Sequence, residues 1–124
     1  MSEADVMTGL AEEVRVARLA EIPLGEGRAY EVDGARVAVF RTRTGQVFAT
    51  QAECPHKRGP MADGLVGGTT VVCPLHERAY DLRTGEGVAG ECTRLRTYPV
   101  RVAADGAILL VPEPAGLPIP EAVD

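Results

Sequence analysis

Both histidines of the chain and two of its three cysteines stand in two short segments, ECPHKRGPM and VVCPLHERAYD. Read along the chain, these residues spell C-x-H, sixteen intervening residues, then C-x-x-H: Cys54, His56, Cys73 and His76. In an extended loop, side chains separated by one residue project to the same side, so Cys54 and His56 converge. A tight turn does the same for Cys73 and His76. Any fold for this chain has to present two loops, each offering one soft thiolate and one borderline imidazole.

The rest of the chain has to supply the scaffold. Its 124 residues suit one domain that buries roughly two-thirds of its unfolded surface. Tryptophan is absent and aromatics make up 4% of the sequence, so the core is built from Val, Leu, Ile and Ala, and the fifteen valines favour strands. VRVARL alternates as an early strand and IPLGEG reads as a turn. RAYEVDGARVAVFRTRTGQVFATQ then predicts two successive hairpins, turned at Asp33-Gly34 and Thr44-Gly45. Alternation resumes in RLRTYPVRVAADGAILLVP, where Asp105-Gly106 turns another hairpin. The expected fold is all-β, an antiparallel sandwich or barrel body. A small subdomain of loops and short strands, about residues 51–91, is rich in Gly, Pro, Cys and His and lacks a sustained period. The domain is expected over 14–112, after an N-terminal extension of residues 1–13 and before a Pro-rich tail of residues 113–124.

A formal net charge of -5 argues against nucleic acid as the main partner, because neutralising phosphates needs clustered Lys and Arg. No apolar run has the length of a signal peptide or a bilayer span, so the expected setting is cytoplasmic, away from the membrane. An odd cysteine count without a leader fits a reducing compartment, where clustered Cys and His hold metal more often than they form disulfides.

Two thiolates and two imidazoles match two tetrahedral irons bridged by sulfide, with the cysteines on one iron and the histidines on the other. A structural zinc site competes, since Cys₂His₂ is a common zinc shell, and it would make the chain a zinc-stabilised interaction domain. Zinc pairs usually keep two to four residues between cysteines, whereas each pair here mixes Cys with His. Unliganded core residues are the remaining reading, and the two-by-two spacing counts against it.

The segment CPHKRGPMADGLVGGTTVVCPLHERAYDLRTGEGV resembles the Rieske iron-sulfur proteins, and in particular the small subunit of assimilatory NAD(P)H-dependent nitrite reductase. The resemblance runs from about Val14 to Pro112. CPHKRGP, ADGL and DLRTGE carry the nitrite reductase likeness, although Rieske ferredoxins that feed aromatic-ring-hydroxylating dioxygenases share the ligand pattern and a similar ending. The resemblance implies a [2Fe-2S] cluster whose inner iron is held by Cys54 and Cys73 and whose outer iron is held by His56 and His76. It also implies a one-electron carrier with no catalytic residue of its own. The partner would be a large siroheme and flavin nitrite reductase subunit reducing nitrite to ammonia, or another redox protein.

The resemblance bears on potential as well. Neutral histidines leave the oxidised cluster uncharged, where four thiolates would leave it at about minus two, so reduction is easier than in plant-type ferredoxins. High-potential Rieske proteins carry a disulfide pair at positions matching Gly59 and Leu75, a serine hydroxyl at that of Arg78 and a tyrosine hydroxyl at that of Tyr80. Only the tyrosine is retained here. A potential toward the low end of the Rieske range, roughly -150 mV, is implied. Tyr80 either donates to Cys54 or simply packs against the loop. GLVGGTT lacks the Lys and following helix of a phosphate loop and reads as a turn. Lys57, Arg58, Arg78 and Arg83 are ordinary solvated surface or a rim that steers a partner. Cys92 stands outside the ligand spacing as a small structural residue.

Overall fold

The computed structural model describes residues 13–54, 59–74, 78–88 and 93–111. His56, His76, Lys57, Arg58, Leu75 and Cys92 lie outside the described residues, as do the expected extension (Glu13 apart) and the tail. The strands are β1 (Val14–Arg18), β2 (Glu26–Val32), β3 (Ala35–Arg41), β4 (Val47–Gln51), β5 (Leu65–Gly67), β6 (Thr70–Val72), β7 (Ala79–Asp81), β8 (Thr97–Tyr98), β9 (Val100–Val102) and β10 (Ala107–Leu110). They form three antiparallel sheets, ordered β1-β10-β9, β2-β3-β4-β8 and β5-β6-β7.

The body is built from hairpins at the expected turns. Asp33 and Gly34 both take left-handed backbone angles, φ 51° and 82°, which is the geometry a two-residue turn needs to match the twist of β2 and β3. β3 and β4 pair from Val37–Gln51 to Arg41–Val47, and β9 and β10 pair around Asp105-Gly106. β1 joins β10 with a bulge between Arg15 and Ala17, so the two ends of the domain lie side by side.

The stretch RTYPVRV behaves differently from the continuous strand its alternation implies. Pro99 divides it: Tyr98 pairs with Ala49 in one sheet, and Val100 pairs with Leu110 in another. Proline has no N–H for a ladder, so the chain changes sheets there while the Pro99 carbonyl accepts from the Val111 amide at 2.9 Å.

β3 is buried on both faces. Val37 and Val39 enter a core with Ile22, Val32, Ala49, Tyr98, Ile108 and Leu110. The alternate residues, Ala38 and Phe40, enter a second core with Met61, Val66, Val71, Leu82 and Leu95, which also contains Cys54, Cys73 and Tyr80. Period-two alternation of one strand thus separates the body core from the core under the loops. The loop-rich segment contains the expected short strands, and β5, β6 and β7 form a sheet of their own.

Candidate metal centre

Two hairpin ends carry the cysteines, and both are closed in the same way. Beyond β4, the Ala52 amide donates to the Arg36 carbonyl at 3.3 Å, the Met61 amide donates to the Ala52 carbonyl at 2.9 Å, and Glu53 bridges Pro60. At the end of this stem the Cys54 amide donates to the Gly59 carbonyl at 2.7 Å. Beyond β6, the Cys73 amide donates to the Arg78 carbonyl, also at 2.7 Å, next to the Val72–Ala79 pair. Each loop therefore leaves its stem at a cysteine whose amide is bonded five residues ahead. His56 and His76 belong to these two loops by sequence, at the second and third positions after the cysteines, and are outside the described residues.

The two cysteines are not joined in a disulfide and are almost wholly buried, Cys54 at 1% and Cys73 at 0% relative exposure, in one apolar cluster. The expected absence of a Gly59–Leu75 disulfide follows from the residue types alone.

Tyr80 ties the two hairpins together. It lies on β7 opposite Val71, is fully buried, and sets its hydroxyl 3.7 Å from Cys54 Sγ. That is hydrogen-bond reach for a sulfur acceptor. Of the two roles open to Tyr80, the geometry supports the polar one. The same hydroxyl is 2.6 Å from Thr93 Oγ1. No motif marks Thr93, because its place depends on a distant segment. Arg94 bridges Glu86, the Leu95 amide donates to the Gly85 carbonyl at 2.8 Å, and the Arg96 amide donates to Gln51 Oε1 at 2.7 Å. Residues 93–96 are thereby sewn both to the turn after β7 and to the stem of the first loop.

The motifs ADGL and DLRTGE acquire physical reasons. A Cβ on Gly64 would run into the Val72 carbonyl, and one on Gly85 (φ 85°) would run into the Leu95 carbonyl. Asp81 closes the turn before Gly85: its carboxylate accepts from the Arg83 amide at 2.9 Å and from the Arg83 guanidinium at 3.0–3.2 Å. The side-chain bond from Arg83 holds the Asp81 carboxyl below its ordinary pKa, against a smaller opposing effect of burial. Arg83 is an exposed, ion-paired residue, which suits the solvated-surface reading of that charge. Arg78 is half-buried and lends its carbonyl to the second loop.

The chemistry of this donor set fits iron. Buried thiols in an apolar cluster are soft ligands, and a tyrosine hydroxyl stands within hydrogen-bond reach of one sulfur. A model of the Rieske-like [2Fe-2S] domain matches residues 13–110. The chain belongs to the Rieske-like [2Fe-2S] domain family. Its cofactor is accordingly a Rieske-type [2Fe-2S] cluster, and it is an electron-transfer protein.

This Rieske domain is 32% identical over 90 residues to the ferredoxin component of naphthalene 1,2-dioxygenase/salicylate 5-hydroxylase systems from Ralstonia sp, covering 72% of this chain and 86% of that one. Among solved structures it is similar to the ferredoxin of carbazole 1,9a-dioxygenase from Nocardioides aromaticivorans, with a TM-score of 0.74, 33% identity, and coverage of 83% of this chain and 100% of the other. It is also similar to a structure described as an NADH-dependent nitrite reductase small subunit from Mycobacterium tuberculosis, with a TM-score of 0.75, 25% identity, and coverage of 81% and 94%. Among the described residues, no helix is long and apolar enough to cross a membrane.

Proposed function

We propose that Cys54 and Cys73 hold the inner iron and His56 and His76 the outer iron of the cluster, and that the chain carries single electrons to the oxygenase of a ring-hydroxylating dioxygenase system. The observation that supports the ligand assignment is the matched pair of buried cysteines, each opening a loop that its own amide closes. The cluster supplies a reversible one-electron couple. Around it, the protein's residues exclude water from the thiolates, present a hydroxyl to one of them, and fix the loop stems so that little reorganises on electron transfer. The oxygenase reading is supported by the 32–33% identity to ferredoxin components.

The nitrite reductase small-subunit reading is the second, favoured by the 0.75 TM-score to the Mycobacterium tuberculosis structure and by the CPHKRGP, ADGL and DLRTGE segments. Stopped-flow reoxidation of the reduced protein separates the two. Rapid reoxidation by a dioxygenase terminal component and none by a siroheme-containing nitrite reductase large subunit is expected. The reverse result would assign the second reading, and reoxidation by neither would overturn both.

A further inference from the structure

The contacts around Tyr80 define a line of three groups: Thr93 Oγ1, Tyr80 OH and Cys54 Sγ, with separations of 2.6 and 3.7 Å. All three residues are buried, Thr93 at 8%, Tyr80 at 0% and Cys54 at 1% relative exposure. Tyr80 has one hydroxyl proton, and among the described residues Cys54 Sγ and Thr93 Oγ1 both stand within its reach. A metal-bound thiolate accepts hydrogen bonds and donates none, whereas a threonine hydroxyl does either. If Tyr80 donated to Thr93, the lone pairs of its oxygen would face a buried anionic sulfur, and that sulfur would lose this donor. Burial makes such an arrangement costly. With Thr93 donating to Tyr80 and Tyr80 donating to Cys54, each proton lies between a donor and an acceptor. Successive bonds in such a chain also polarise one another, strengthening each by roughly 10–30%.

We infer that Thr93 is a positioning residue for the redox centre: its hydroxyl donates to Tyr80 and so commits the Tyr80 proton to Cys54 Sγ, raising the reduction potential. The inference rests on Cys54 being a cluster ligand. Thr93 gains its position from the contacts of residues 94–96 with the turn after β7 and with Gln51, so the relay spans three separate segments of the chain.

Protein-film voltammetry of the cluster-loaded variants tests it, alongside iron and acid-labile sulfide content. Thr93→Val, with full iron, is expected to shift the reduction equilibrium about two- to threefold toward the oxidised form, which is a midpoint lower by about 18–28 mV at 59 mV per tenfold change. Thr93→Ser is expected to restore the wild-type midpoint. In a Tyr80→Phe background the same Thr93→Val substitution is expected to add no shift. An unchanged midpoint in Thr93→Val would overturn the relay, and a raised one would make Thr93 a competing acceptor. Loss of iron from both Thr93→Val and Thr93→Ala would replace the relay with a purely architectural role. Failure of the underlying ligand assignment has its own signature, full iron retained in Cys54→Ser, and is thereby distinguished from failure of the relay.

Discussion

Gly27 and Phe40 face each other across β2 and β3, and a Cβ on Gly27 would stand 2.7 Å from the Phe40 ring and 3.1 Å from the Ala62 carbonyl. The ring cannot retreat, because it is fully buried in the core that holds both cysteines. Gly27→Ala should therefore destabilise the protein by about 1–3 kcal/mol, the usual cost of overpacking. Urea unfolding of the loaded protein checks this, and a loss below about 0.5 kcal/mol, the size of an ordinary surface substitution, would show that the ring has room to move.

The ligand assignment predicts an asymmetry among the cysteines. Cys54→Ser and Cys73→Ser should each abolish or severely deplete iron and acid-labile sulfide. Cys92→Ser, outside both ligand pairs, should retain a full complement. Colorimetric iron and sulfide assays on the three purified variants decide it, and equal losses in all three would refute the assignment.

Tyr80→Phe removes the hydroxyl that reaches Cys54. A hydrogen bond to sulfur stabilises the reduced state, so the midpoint should fall by tens of millivolts, on a scale where about 59 mV is tenfold. The wild-type value should itself lie toward roughly -150 mV, since neither the disulfide nor the serine of high-potential relatives has a counterpart at Gly59, Leu75 or Arg78. A wild-type midpoint above roughly +100 mV would contradict this, as would an unmoved midpoint in the variant.

Asp81 gives a dependence on pH. The bond from Arg83 depresses its folded-state pKa below the ordinary 3.8, so its contribution is fully present above the unfolded value and is lost as pH falls through the lower folded value. Asp81→Asn should weaken the protein at pH 7 by less than about 1 kcal/mol, because solvent screens the exposed pair, and the difference from wild type should shrink as the pH drops below about 4. Chemical unfolding at the two pH values measures both, and a gap that widened in acid would reverse the sign of the argument.

Residues whose structure depends on their neighbours in sequence were legible in advance. Asp33-Gly34, Thr44-Gly45 and Asp105-Gly106 each turn a hairpin because turn geometry is set within a few residues. The two cysteines were legible for the same reason, as short spacings around loop ends. Short strands in the loop-rich segment were legible as such, but at three residues each they are too short to display a period, so the pairing of β5, β6 and β7 into one sheet was not. The change of sheet at Pro99 was not legible either, because the side-chain alternation continues across it while the hydrogen-bonding partner changes. Thr93 was invisible because its role is set by Tyr80, thirteen residues away, and by Gln51 still farther back, through the neighbouring Arg96.

β3 lends one set of side chains to the body and the alternate set to the core beneath the loops, and the strand has consequences for how the protein is assembled. Among the described residues, the body core is drawn from β1 to β4, β8 and β10 and from Ile22, whereas the other core includes both cysteines. Assembly of the two cores therefore shares one template: β3 cannot be placed with Val37 and Val39 in the body without also placing Ala38 and Phe40 in the core that contains Cys54 and Cys73.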